Sequence, residues 1–145
     1  MNIVIKEIKF GSAEWEEARK IRYALFFEMH GLDEEVMDDD KEASAQHFSI
    51  IEKEDVLAYL RLSKQLHNYS VSQMVVRSDQ QSKGFGKLLM QYVLKNIVKG
   101  HRVTLNARLT SHKFYEKLGF EISGMEFCSS TTGVVHCPMM LESNI

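Results

Sequence analysis

The stretch Met74-Val75-Val76-Arg77-Ser78-Asp79-Gln80-Gln81-Ser82-Lys83-Gly84-Phe85-Gly86-Lys87-Leu88-Leu89 changes its period midway. Met74-Val75-Val76 closes a β-type run that begins at Tyr69, whereas Phe85, Leu88, Leu89, Tyr92, Val93 and Ile97 recur at helical spacing, with Gly100 just beyond. The pattern predicts a strand, a loop from Arg77 to Lys83, and a helix from about Gly84, with two glycines where main chain must approach something closely. The first turn of such a helix has N–H groups without intrahelical partners and lies at the positive end of the helix dipole, so it can hold a phosphate or pyrophosphate. Lys83 and Lys87 flank the turn and add charge. A helix start tightened for packing fits the same residues. Two nucleotide motifs do not. A P-loop needs four residues between its glycines and a following Lys-Ser or Lys-Thr, and a dinucleotide fingerprint needs a third glycine. Here only Phe85 separates Gly84 from Gly86, and Leu89 stands where the third glycine would be.

Upstream, Ile3, Ile5 and Ile8 in a run ending at Phe10 suggest a strand, after which Gly11-Ser12 breaks the chain and offers Ser12 as an N-cap. Ala18, Ile21, Leu25 and Met29 then predict a helix ending near His30-Gly31, with Glu14, Glu16 and Glu17 at its favourable end. The acidic segment from Asp33 to Glu42 predicts a loop or short helix. His47 to Ile51 and Val56 to Leu62 form an antiparallel hairpin pattern across Glu52-Lys53-Glu54-Asp55, and Tyr69 to Val76 follows. Downstream come a strand from Val103 to Ala107, a helix from about Thr110 to Leu118 closed by Gly119, and strands from Phe120 to Phe127 and Val134 to Leu141. The order βαβββαβαββ predicts an α/β domain with a mixed, largely antiparallel sheet.

The 145 residues, 44% hydrophobic and 26% charged, suit a single domain spanning 1–145 with one core. With 18 Lys and Arg against 20 Asp and Glu, the charge balance calls for neither nucleic acid nor an anionic membrane. No run has the length of a membrane span, and Met1 to Glu7 lacks a signal-peptide core, so a soluble cytoplasmic protein is expected. Cys128 and Cys137 lie far from any CxxC or Cys/His ligand spacing, so no metal is assigned. They read as two reduced thiols in adjacent terminal strands, with a cross-hairpin disulfide as the alternative.

Val75 to Leu89 resembles the acetyl-CoA motif of the GNAT N-acyltransferase superfamily: Gln or Arg, two residues, Gly, one residue, Gly or Ala. About twenty residues later, Asn106-Ala107-Arg108 and Phe114-Tyr115-Glu116-Lys117-Leu118-Gly119-Phe120 are similar to the second signature of that family. Gly133-Val134-Val135-His136-Cys137-Pro138-Met139 is similar to the closing segment of its ElaA-like branch, and Arg22, Phe26, Asp40 and His47 fit that branch more loosely. Gln81 and Ser82 depart from the Arg and Gly that many relatives carry, which shifts phosphate binding onto backbone N–H groups, Lys83 and Lys87.

The resemblance implies the GNAT fold, in which strands Tyr69 to Val76 and Val103 to Ala107 splay apart around the pantetheine arm of acetyl-CoA. It implies that main chain around Met74, Val75 and Val76 pairs with pantetheine. Gln81, Ser82, Lys83, Gly84, Phe85, Gly86 and Lys87 would hold the pyrophosphate, Asn106 would reach the arm, and Phe114 would pack beside it. Tyr115 is the candidate acid at the CoA sulfur. A base must neutralise the acceptor amine, and His136 is the first candidate, with His47, Glu28 and Asp40 as alternatives. The acceptor is an amine-bearing small molecule or peptide. The acidic segment would favour a cationic one if it lined the site, although such a run also suits a solvated loop. The protein would be a monomer or homodimer, and a non-catalytic acyl-CoA sensor is the alternative reading.

Overall fold

The computed structural model describes residues 2–142. Strand β1 (Ile3–Ile8) leads through Gly11 to helix α1 (Ala13–Phe26), whose first turn is capped by Ser12 accepting the Trp15 N–H at 3.2 Å. Trp15, Ala18 and Arg22 form the buried face of α1. The helix stops at Phe26, earlier than its apolar spacing suggests, and a 3-10 turn over Glu28–His30 follows, closed by Gly31 at φ 69°. The Tyr23 hydroxyl donates to the Leu32 carbonyl at 2.7 Å and draws the chain off the helix axis, leaving Met29 exposed. Within the acidic segment, a second 3-10 turn covers Glu34–Met37.

β2 (Gln46–Glu52), β3 (Asp55–Gln65) and β4 (Asn68–Val76) form an antiparallel meander with β1. Helix α2 (Phe85–Asn96) and strand β5 (Arg102–Arg108) follow. Short helix α3 (His112–Glu116), β6 (Glu121–Ile122), β7 (Phe127–Cys128) and β8 (Val135–Leu141) complete the described chain. The eight-stranded sheet runs β1-β2-β3-β4-β5-β8-β6, with β7 also on β8. Among the described residues its one parallel pair is β4 with β5. One face packs Phe48, Leu57, Leu60 and Leu62 with Phe85, Leu89, Met90 and Val93 of α2, and the other packs Tyr59 and Val75 with Trp15 and Ala18 of α1. Covered on both faces, β3 is buried without interruption from Val56 to Leu62. The α2 seam uses Met90 where spacing suggests Leu88, which is exposed.

The expected strand Phe120 to Phe127 is broken into β6 and β7. Pro138 of β8 has no N–H to offer on that edge, where its carbonyl accepts from Ser123 at 2.9 Å. A Cβ on Gly124 would lie 3.0 Å from the Pro138 ring, so the interruption is packed tightly against the proline.

Two irregularities shape the middle of the sheet. β4 and β5 pair only over Asn68–Val71 and Arg102–Leu105, after which β4 stays with β3 and β5 with β8. The two strands therefore diverge, as the family resemblance implied. On β4, Gln73 and Met74 together face Leu60, because the register steps from Arg61↔Ser72 to Tyr59↔Val75. Gln73 adopts φ 52°, a bulge that bends β4 where it leaves β5.

Candidate active site

The loop before α2 is built to present main chain. Ser82 and Gly84 are both left-handed, at φ 68° and 83°, and Gly84 caps α2 without any side-chain hydrogen bond. The first helical bond runs from Leu88 N–H to Gly84 O at 3.0 Å, so the N–H groups of Phe85, Gly86 and Lys87 have no intrahelical acceptor. Together with the dipole, they form an anion cradle. Gly86 packs closely against the cleft wall: a Cβ there would stand 3.3 Å from Met74 Cε, 3.4 Å from Phe114 Cζ and 3.5 Å from Val76 Cγ2. These residues, with Gln81 and Ser82, line a cleft of about 370 Å³ on the α2 side of the sheet.

The edge of β4 beside this cleft has no strand partner. Arg77 N–H donates to Leu57 O at 2.9 Å, so in the alternation of an antiparallel ladder the peptide groups of Val76 point away from β3 toward the splay. There the Gln81 amide donates to the Val76 carbonyl at 3.2 Å. Gln81 thus lies across the strand edge, and Lys83 reaches Gln80 Oε1 at 3.2 Å. Val75 is placed otherwise than expected: it pairs with Tyr59 and packs under α1, lining neither cleft. The Phe85 side chain is core, leaving only its N–H for the cradle. Thr110 and Ser111 also line the cleft, although no motif singled them out.

A second cleft, of about 340 Å³, opens over the splay toward the β7–β8 turn. Met74, Ser111 and Tyr115 belong to both clefts. Tyr115 is 9% exposed, packed edge-on against Phe114 and Phe120 with centroids 4.9 and 6.0 Å away, and burial pushes its phenol up to about 12. It therefore stays protonated, as a hydrogen-bond donor, across the physiological range. His136 lines the second cleft, stacked on Phe127, with Nδ1 donating to Val134 O at 2.8 Å in the neutral tautomer. That leaves Nε2 with a free lone pair. Asn106 lines this cleft and a neighbouring pocket, and is absent from the α2-side one.

The other base candidates lie elsewhere. Glu28 and Asp40 are exposed and line neither cleft. His47 is 1% exposed, with Nδ1 against the Tyr59 hydroxyl at 2.6 Å and Nε2 against Glu42 O at 2.9 Å. Burial lowers its basicity, so it is a structural imidazole. It belongs to a buried polar network that no motif announced. Glu42 accepts from both terminal nitrogens of Arg22 at 3.0 and 2.9 Å, from Arg61 at 3.0 Å and from Trp15 Nε1 at 2.8 Å. Burial would raise the Glu42 carboxyl, but Arg22, Trp15 and Arg61 prevail and hold it down at about 2. Arg22 also donates to Gln73 Oε1 at 3.0 Å, tying α1 to the bulge.

The acidic segment is mostly solvated, as such a run suggests, with Glu42 the exception. Glu34 and Asp38 pair with Arg19, Asp39 with Arg61, and Glu42 is buried. Cys128 is exposed and Cys137 buried, both unpaired. Among the described residues, no group of three or more His, Cys, Asp or Glu side chains is placed to hold a metal ion, and no helix is long and apolar enough to cross a membrane.

Residues 17–143 match the family described as acetyltransferase (GNAT) domain, and the chain belongs to that family of acyl-CoA N-acyltransferases. Members of that family take an acyl group from an acyl-CoA and pass it to an amine. No curated protein matches the sequence. Among solved structures, Escherichia coli ElaA is 18% identical with a TM-score of 0.78, over 96% of this chain and 99% of that one. An acyl-CoA N-acyltransferase from Pseudomonas aeruginosa is 17% identical with a TM-score of 0.77, over 97% and 99%. An aminoglycoside 6'-N-acetyltransferase complexed with coenzyme A is 14% identical with a TM-score of 0.75, over 94% and 95%. At these identities the likeness is one of fold.

Proposed function

We propose that the protein transfers an acetyl group from acetyl-CoA directly to a primary amine in a ternary complex, with Tyr115 at the sulfur and His136 serving the amine. The observation that carries this reading is the position of Tyr115, shared by the cleft beside the anion cradle and the cleft beside His136. The pyrophosphate would rest on the N–H groups at the start of α2, and the pantetheine arm would run along the open edge of β4 at Val76. The amine, relieved of its proton by His136 Nε2 directly or through water, attacks the thioester carbon. As the tetrahedral intermediate collapses, the C–S bond breaks and the electron pair leaves on sulfur. The Tyr115 phenol, held near 12, is a weaker acid than a thiol of ordinary pKa about 8.5. Its part is therefore a hydrogen bond to the developing thiolate, while the proton for sulfur comes from the ammonium side or solvent. No covalent enzyme intermediate is required, and neither cysteine lines either cleft.

Incubation with acetyl-CoA and an amine panel, with a thiol reagent reporting released CoA, tests the transferase. In the best pair, Tyr115→Phe should lower kcat by about ten- to a hundredfold while CoA affinity measured by calorimetry stays within about twofold. A mutant rate equal to that of the parent would remove Tyr115 from the chemistry.

A further inference from the structure

The cleft over the splay has a one-sided charge. Among the described residues no Asp or Glu lines it or the adjoining pocket of about 360 Å³, although the protein carries 20 acidic residues. The cations there differ in their commitments: Lys41, exposed and without a salt bridge among the described residues, lines only the adjoining pocket. Arg61 is engaged by Asp39, Glu42 and Ser72. Arg108, at the last position of β5, makes no salt bridge among the described residues. Its guanidinium lies 4.5 Å from the Phe26 ring centroid, and its one hydrogen bond is a long one, 3.5 Å from Nη2 to Leu25 O. Burial alone lowers its pKa, with no acidic neighbour opposing the shift.

A half-buried guanidinium lying over the Phe26 ring, with no partner for Nε or Nη1 among the described residues, suits a planar anion. The rest of the wall agrees in sign. Gln73 gives its amide oxygen to Arg22, which leaves its NH2 for another acceptor. Ser129 Oγ and Thr132 Oγ1 accept backbone N–H groups at 3.2 to 3.3 Å, which leaves each hydroxyl its proton to donate. The cleft therefore offers donors and a cation and offers no carboxylate to a second positive charge. Arg108 lines this cleft and is absent from the one beside the anion cradle, so the pyrophosphate does not account for it.

We propose that the acceptor is a small primary amine that also carries a carboxylate, and that Arg108 binds that carboxylate while the amine faces Tyr115 and His136. This rests on the transferase reading above. It also directs the acceptor away from the polycations that the acidic segment suggested, since none of that segment's acids lines the cleft or the adjoining pocket, and Glu34, Asp38, Asp39 and Glu42 are paired with Arg19, Arg22 and Arg61. The cleft of about 340 Å³ lies at the small end of ligand sites, which suits an acceptor of amino-acid size.

The test is a set of matched acceptors with saturating acetyl-CoA: L-amino acids, their amides, their decarboxylated amines, and spermidine. Calorimetry with CoA is run first, since absence of CoA binding would defeat the transferase reading and this inference with it. With CoA bound, the carboxylate-bearing members should show kcat/KM at least about tenfold above their amides. Arg108→Gln should remove about ten- to a hundredfold of it, mainly through KM, while leaving the amides unchanged. Arg108→Lys, which keeps the charge and loses the fork, should recover part of the loss, and an unchanged circular-dichroism melt establishes that both variants fold. Amides or spermidine acetylated as well as the acids, or a preference for acids that survives Arg108→Gln, would overturn the assignment and leave the transferase standing. CoA binding without acetylation of any carboxylate-bearing member would overturn it equally.

Discussion

Replacing Glu42 by Gln removes one charge from the most heavily buried polar cluster in the protein. The carboxylate is 4% exposed, and its partners Arg22 and Arg61 are 0% and 6% exposed. The Glu42 pKa falls from 4.5 to about 2 on folding, because Arg22, Trp15 and Arg61 outweigh the cost of burial. Each unit corresponds to about 1.36 kcal/mol, so the ionised carboxylate contributes about 3 kcal/mol at neutral pH. Mutational cost in buried pairs reaches about 3 to 5 kcal/mol, because the partner left behind is an unpaired charge. A domain of this size loses about 3 °C in Tm per kcal/mol, so Glu42→Gln should melt roughly 10 °C lower at pH 7.

The pH dependence follows from the sign of the shift. A folded pKa below the unfolded one gives stability that is complete above about 4.5 and is lost as pH falls toward about 2. The parent should therefore weaken by about 3 kcal/mol across that window, and the variant should be flatter there. His47, whose basicity is lowered by burial, adds a separate loss below its ordinary value of 6.5 in both proteins. Asp38→Asn, which breaks an exposed pair with Arg19, is the control and should cost less than about 1 kcal/mol. Urea melts from pH 2 to 8 measure all three. A Glu42→Gln protein as stable as the parent at pH 7, or one with an undiminished acid limb below pH 4.5, would refute the reasoning.

The anion cradle yields two more expectations. Gly86→Ala places a methyl 3.3 Å from Met74 Cε and 3.4 Å from Phe114 Cζ; CoA affinity by calorimetry should fall about tenfold with Tm nearly unchanged, since alanine favours the helix by about 0.5 to 1 kcal/mol. Ser82 is left-handed without being glycine, so Ser82→Gly should relieve strain and raise stability by about 0.5 kcal/mol, net of the entropy glycine adds to the unfolded chain, as read in a urea melt.

What was legible in the sequence was whatever repeats locally. The strand-loop-helix at Met74 to Leu89, the Ser12 cap and the β2–β3 hairpin follow from periodicity and turn residues, and the structure contains each. The turn at Ser82 explains a departure noted in the motif: many relatives carry Gly there, and the backbone conformation is one that glycine adopts at no cost. What was not legible depends on distant partners. Glu42 belongs to a run of acids that resembles a solvated loop, and only the folded chain brings it against Arg22, twenty positions away, and Arg61. His47 suffers the same ambiguity, because a lone histidine in a strand does not say whether its nitrogens are free. Arg108 sat inside a recognised motif with no role, since a cation's significance there lies in the absence of an anion nearby. The broken strand after Phe120 was hidden because Pro138, which interrupts it, lies on another strand.

The parting of β4 from β5 also bears on how the sheet is joined. The two halves, β1 to β4 and β5 to β8, share ladder contacts over only four residues of each strand, Asn68–Val71 and Arg102–Leu105. They behave as two leaves of a book bound along part of the spine, and a bound pantetheine arm would act as stitching along the remainder. Amide exchange should record this: Val76 and its neighbours on the open edge would slow markedly when CoA is present, whereas amides inside the β2–β3 ladder would exchange at their former rates.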